Sequence, residues 1–172
     1  MRECSGKLPG RRPQRMEPSF EKLLVLLSEA QIRFVVVGGI AVTIQGYVRL
    51  TEDVDLLVED GAANIQQLLD TLAGYGEGYA RELSPDDFTD DEGAIRIVEE
   101  TEQCQIDLFT RMSGKRYIDV IGDADKFEVG AHLIDIASKA SLIGWKARSV
   151  REKDRMDADA LRRLQENPRA FD

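Results

Sequence analysis

The stretch VVVGGIAVTIQGYVRLTEDVDLLVED, residues 35–60, constrains the fold more than any other part of the chain. Ile32 to Val37 is rich in β-branched and aromatic residues and stops on Gly38-Gly39, which predicts a buried strand ended by a tight turn. Residues 39–46 then read as a short helix closed by Gly46, and Asp53 to Val58 as a second strand. This order of elements predicts an α/β (α+β) domain with a small mixed sheet.

The flanking sequence fits that plan. Ser19 precedes FEKLLVLLSEAQ, whose Phe20, Leu23, Leu24 and Leu27 recur at helical spacing, so residues 19–30 form a helix. Ala62 to Ala73 gives a second amphipathic helix. Gly74, Gly76 and Gly78 punctuate the stretch that follows, but their spacing fits no phosphate-binding fingerprint and SPDDFTDDEG continues it, so an exposed loop is the reading. Ile95 to Val98 and Gln105 to Phe109 form an antiparallel pair across the polar turn Glu99 to Gln103. One further strand is placed near Phe127 to Val129, and two helices, 135–145 and 150–166, close the chain. The expected arrangement puts the helices largely on one side and the functional site at one sheet edge, near the glycine turn.

With 42% hydrophobic and 32% charged residues among 172, the chain suits one soluble domain over residues 17–172. Residues 1–16 read as a flexible tail, or as translation begun upstream of Met16. They lack the apolar run of a secretory signal, and no segment approaches the roughly 20 apolar residues of a membrane span. The only cysteines are Cys4 and Cys104, which argues against a structural disulfide and for a reducing cytoplasm. A single histidine, His132, excludes a His/Cys zinc site. The net charge is −9, and residues 1–15 hold five basic residues against one acidic, leaving −13 on the remainder. Such a body repels a phosphate backbone, so extended DNA binding is not expected.

Within residues 35–60 lies a pattern with chemistry in it. At Gly38-Gly39 the missing side chains let backbone N–H groups approach an anion at a helix start, which makes a phosphate seat. Asp53 and Asp55, two apart on a strand, project from one face roughly 6.5–7 Å apart. Two anions so placed repel, and a hard divalent cation with oxygen ligands, Mg2+ or Mn2+, relieves the repulsion. Asp107 stands between Ile106 and Leu108 in an apolar strand where a lone charge is costly, so it requires a partner, and a metal shared with the first pair supplies one. An isolated D-x-D is ordinarily a solvated strand edge or a helix cap. The upstream glycine turn, the apolar neighbours Val54, Leu56, Leu57 and Val58 and the third aspartate favour the metal reading here.

These residues, GG-I-A followed by R-x-T-x-D-x-D, resemble the signature of the DNA polymerase β-type nucleotidyltransferase superfamily, in the variant of small bacterial nucleotidyltransferase-fold proteins and AbiEii-type toxins. QIDLF and SKASLIGWKARSVREKDRMDAD extend the likeness over residues 19–165. The resemblance implies that Gly38 and Gly39 hold the triphosphate of an NTP, that Asp53 and Asp55 bind magnesium, and that Asp107 is the third carboxylate and helps activate an acceptor hydroxyl. Arg49 either contacts phosphate or pairs with Glu52 or Asp53. Thr51 stabilises the turn into the strand or touches the nucleotide. Lys139 falls where related small proteins carry a lysine that neutralises triphosphate charge. Lys153-Asp154 and Asp157 match a closing K-D-x-x-D segment, for which a salt-bridge role is expected, while Trp145 and Tyr47 read as core residues rather than base-stacking ones. The chain departs from better-known members in having Gly38-Gly39 instead of a glycine-serine pair and in lacking a large acceptor-binding domain. The implied reaction moves an NMP from an NTP to a hydroxyl on tRNA, a protein or a small molecule, with a partner protein or second copy as a possible source of the acceptor. A non-catalytic nucleotide-binding or toxin–antitoxin interaction protein is the alternative, and hydrolysis to NMP a third.

Overall fold

Phe20, Leu23, Leu24 and Leu27 are all buried along helix α1 (Pro18–Glu29), the face their spacing selects. The helix ends as Gln31, at φ +58°, turns the chain and Ile32 N–H donates to the Leu27 carbonyl at 3.1 Å. This closure shortens the strand that follows: β1 is Phe34–Val37, buried at every position. The computed structural model describes residues 18–172; Cys4 and the expected tail lie outside the described residues.

After β1 come helix α2 (Gly38–Ile44), strand β2 (Asp53–Val58), helix α3 (Ala62–Leu72), strands β3 (Ile95–Glu99) and β4 (Cys104–Phe109), a one-turn helix α4 (Tyr117–Val120), strands β5 (Asp125–Val129) and β6 (His132–Ile136), and helices α5 (Lys139–Ala147) and α6 (Glu152–Glu166). The six strands form one mixed sheet in the order β3-β4-β2-β1-β6-β5. β2 runs antiparallel to β1 and parallel to β4, and β3 is antiparallel to β4. The fold is therefore α/β with an open mixed sheet flanked by helices.

Strand β6 departs from the sequence expectation, which placed one strand near residues 127–129 and began a helix at 135. DKFEV and HLIDI alternate only over five residues each, too short for periodicity to separate strand from helix. Gly130, at φ +59°, turns the hairpin, and the pairing of Val36 with Ile136 joins it to β1. Helix α5 starts later, at Lys139, where the Ser138 hydroxyl accepts from Ser141 N–H at 3.1 Å as an N-cap. Rather than gathering on one side, the helices fall into two packing groups, α1 with α3, and α5 with both α2 and α6.

One hydrophobic cluster runs through the molecule, from Leu23 and Leu27 through Val35, Leu56 and Ile106 to Leu142 and Leu161. Cys104 is a free thiol buried in it. No helix among the described residues is long and apolar enough to cross a membrane.

Candidate active site

Alternation along β2 separates two environments within a few residues. Val54 and Leu56 point into the core with no exposed surface, while Asp53 and Asp55 sit half-buried on the other face. Parallel pairing with β4 aligns Asp55 with Asp107 and Asp53 with Gln105, so register alone delivers Asp107 beside the first pair. Oxygen atoms of Asp53, Asp55 and Asp107 lie within 4.8 Å of one another. The three carboxylates stand on interior strands of the sheet and not at its edge as expected; the edge position belongs to β3.

The Gly38-Gly39 turn meets this cluster. Gly38 adopts φ +69°, and a Cβ there would fall 1.9 Å from Asp55 Oδ2, so glycine is required both by the backbone and by the carboxylate packed against it. A Cβ on Gly39 would come 2.8 Å from Thr51 Oγ1 and 2.9 Å from an Arg49 guanidinium nitrogen. The Thr51 hydroxyl in turn donates to the Asp53 carbonyl at 3.3 Å and fixes the entry into β2.

Burial drives the electrostatics. The Asp55 carboxyl is pushed up to about 7, first by desolvation and then by the charges of Asp53 and Asp107 and a hydrogen bond shared with Asp107, against a smaller opposing pull from Lys146. Three hard oxygen donors crowded together in a partly buried site, where burial and then mutual repulsion oppose their full ionisation, are a donor set suited to a divalent cation.

Two residues that the sequence reading passed over complete the cluster. Arg96, opposite Asp107 in the β3–β4 ladder, donates from Nε to Oδ1 at 2.9 Å and from a terminal nitrogen to Oδ2 at 3.0 Å. Gln105 Nε2 donates to Asp53 Oδ2 at 3.1 Å. Both follow from strand register: Arg96 is the alternation partner of Asp107, and Gln105 lies two positions before it.

Helices α5 and α6 face the carboxylates across a cleft of about 850 Å³, lined among others by Gly38, Gly39, Arg49, Thr51, Trp145, Lys146, Arg151 and Lys153. Arg49 pairs with neither Glu52 nor Asp53. Its Nε lies 3.0 Å from Asp157 Oδ1, on a carboxylate that is 1% exposed. Asp157 Oδ2 lies 3.0 Å from Lys146 Nζ, which also donates to Asp154 Oδ1 at 3.0 Å. Arg49 Nε and Asp157 Oδ2 make no well-directed hydrogen bond, so charge attraction holds these contacts. Burial raises the Asp154 carboxyl, but hydrogen bonds from Ser149 and Lys146 outweigh it and hold the group below its ordinary value. The closing K-D-x-x-D segment thus forms salt bridges.

Lys139, expected at the phosphates, instead donates to Gln45 Oε1 at 3.2 Å and is not part of the cleft lining. Lys146, two turns further along α5, does line the cleft and acts on the Asp55 carboxyl. Trp145 lines the cleft while packing on the core, and Tyr47 packs against Phe171 with ring centroids 5.3 Å apart and planes tilted by 45°. A family model described as a nucleotidyl transferase of unknown function (DUF2204) matches residues 18–171. Comparison with curated proteins returns no match.

Proposed function

The chain belongs to the DUF2204 family of nucleotidyl transferases, and from that premise we propose that Asp53, Asp55 and Asp107 hold Mg2+ or Mn2+ for the transfer of an NMP from an NTP to an acceptor hydroxyl. The observation that carries this reading is the convergence of three carboxylates, one of them raised to about 7 by burial and then by its neighbours, on a cleft whose far wall is cationic. A bound divalent ion would neutralise the triphosphate and stabilise charge on the attacking and leaving oxygens.

The chain's own groups do the rest. Asp107 takes the proton of the acceptor hydroxyl as that oxygen bonds to the α-phosphorus and pyrophosphate departs. Lys146 and Arg49, held by Asp157, supply fixed positive charge to the phosphates. Gly38 and Gly39 let the Asp55, Thr51 and Arg49 side chains lie directly against the backbone at the floor of the cleft. Gln105 orients Asp53. Chemistry of this kind depends on position and charge neutralisation more than on covalent catalysis.

At a finer level, the resemblance of GG-I-A and R-x-T-x-D-x-D supports placement with the polymerase β-type, AbiEii-like group, working in the cytoplasm, with acceptors drawn from tRNA, proteins or small molecules. The acidic body disfavours RNA among these. The test is to incubate the protein with each α-labelled NTP, Mg2+ and total cell extract, and to identify the fraction that gains label. Wild-type protein should label one class of acceptor and Asp55→Ala none. Equal labelling by the variant would overturn the assignment, and release of free NMP without labelled product would convert it to hydrolysis.

A further inference from the structure

The row of residues that crosses the sheet at the site is Arg96 on β3, Asp107 on β4 and Asp55 on β2, each in register with the next. Asp107 is 4% exposed, and both of its carboxylate oxygens accept from the same guanidinium, at 2.9 and 3.0 Å. Another approach of that guanidinium brings it 3.9 Å from Asp53 Oδ2. The Arg96 side chain is itself 58% exposed, so its fork closes over the cluster from the solvent side and is not walled in behind it.

We propose that Arg96 is a displaceable counterion: its guanidinium neutralises the carboxylate cluster in the metal-free protein, competes with the divalent ion for Asp107, and so sets the affinity of the site for metal. The inference rests on the metal-binding reading above. Its logic is one of lone pairs and charge. A planar guanidinium spanning both oxygens of a carboxylate occupies the directions an incoming cation needs. A single positive charge beside three carboxylates whose oxygens lie within 4.8 Å of one another offsets only part of their repulsion. A divalent ion offsets more of it, and repels the guanidinium as it does so. Because the arginine stem is exposed, the fork can open at little packing cost, whereas Asp107, fixed in an interior strand, cannot move away. The exchange therefore falls on Arg96.

Isothermal titration with Mn2+ alone tests this on the wild-type chain and on Arg96→Gln and Arg96→Lys, with no nucleotide or turnover involved. Loss of the competing charge in Arg96→Gln should tighten Mn2+ binding by about tenfold or more. Arg96→Lys, which keeps the charge but cannot span both oxygens, should fall between it and wild type. The two variants should unfold at lower temperature than wild type in EDTA and gain more from added Mn2+. In the wild-type protein the Arg96 side-chain Nε–H resonance, assigned by its loss in Arg96→Lys, should be slow to exchange with solvent in EDTA and fast in Mg2+. Mn2+ binding that is unchanged or weaker in Arg96→Gln, or an Nε–H that stays protected with Mg2+ bound, would overturn the competition and leave Arg96 as a clamp that only orients Asp107. If neither wild type nor variant binds Mn2+, the metal reading itself falls, an outcome separable from equal binding by both. Should Arg96→Gln fail to fold, Arg96→Lys and the wild-type resonance still decide the matter.

Discussion

Asp55→Asn should stabilise the metal-free protein, and the gain should appear over a defined pH range. In the unfolded chain Asp55 titrates near 3.8, and in the folded chain near 7. Between these values the native state binds more protons than the unfolded state, so the wild-type residue makes stability fall as pH rises from about 4 to 7, with the loss complete above that. A shift of about 3 units at about 1.4 kcal/mol each places the full penalty on the order of 4 kcal/mol. Asparagine keeps the shape and carries no charge, so the difference between variant and wild type should be near zero at pH 4, climb through pH 5 and 6, and level off above 7. Urea unfolding in EDTA, followed by Trp145 fluorescence at each pH, measures that difference and cancels the titration of groups that do not interact with Asp55. Added Mg2+ should then recover stability in wild type far more than in the variant, because only a ligand that binds the native state shifts the balance. A difference that stays flat with pH, or an Asp55→Asn protein less stable than wild type at pH 8, would refute the claim that repulsion and burial strain this carboxylate.

Gly38→Ala should cost about 2 kcal/mol or more, since a methyl group would overlap Asp55 Oδ2 and the backbone sits at φ +69°; thermal unfolding reads the cost, and Mn2+ titration should show weakened binding as Asp55 is displaced. Asp157→Ala should destabilise by about 3–5 kcal/mol, because it removes the buried carboxylate partner of Arg49 and one of the two that hold Lys146, and denaturant unfolding checks it. Lys146→Met should weaken NTP binding by calorimetry about tenfold or more through loss of a charge facing the phosphates, whereas Lys139→Met should leave that affinity within about twofold of wild type, Lys139 being outside the cleft. Leu24→Ala, in the core face of α1, should cost about 2–5 kcal/mol in the same unfolding assay.

The parts of this molecule that were legible in its sequence are those carried by strong local patterns. β2 runs over Asp53–Val58 as read, because two aspartates on one face and buried aliphatics on the other leave only one way to place a strand. Helix α1 ended where its apolar stripe ended. The closeness of Asp107 to the other two carboxylates could be suspected from its cost of burial, but its alignment opposite Asp55 is a property of β2–β4 pairing across residues 53 and 107, which no local pattern encodes. Arg96 and Gln105 escaped notice for the same reason: each gains its role from a neighbouring strand. For an ion-pair partner of Arg49 the sequence offers only the local Glu52 and Asp53; the partner in the fold is Asp157, distant along the chain and brought back by α6. Lys139 looked right by position in sequence, yet helix phase turns it toward Gln45 and leaves Lys146 to face the sheet.

Asp157 sits on the last helix and is almost wholly enclosed, but what it touches is the approach to β2 and the middle of α5. A protein cut before residue 152 would keep all three clustered carboxylates and the glycine turn, and would lose the anchor of both cations on the opposite wall. Anything that pulled α6 away, a proteolytic nick or a second molecule gripping that helix, would therefore silence the cleft without touching its acidic half.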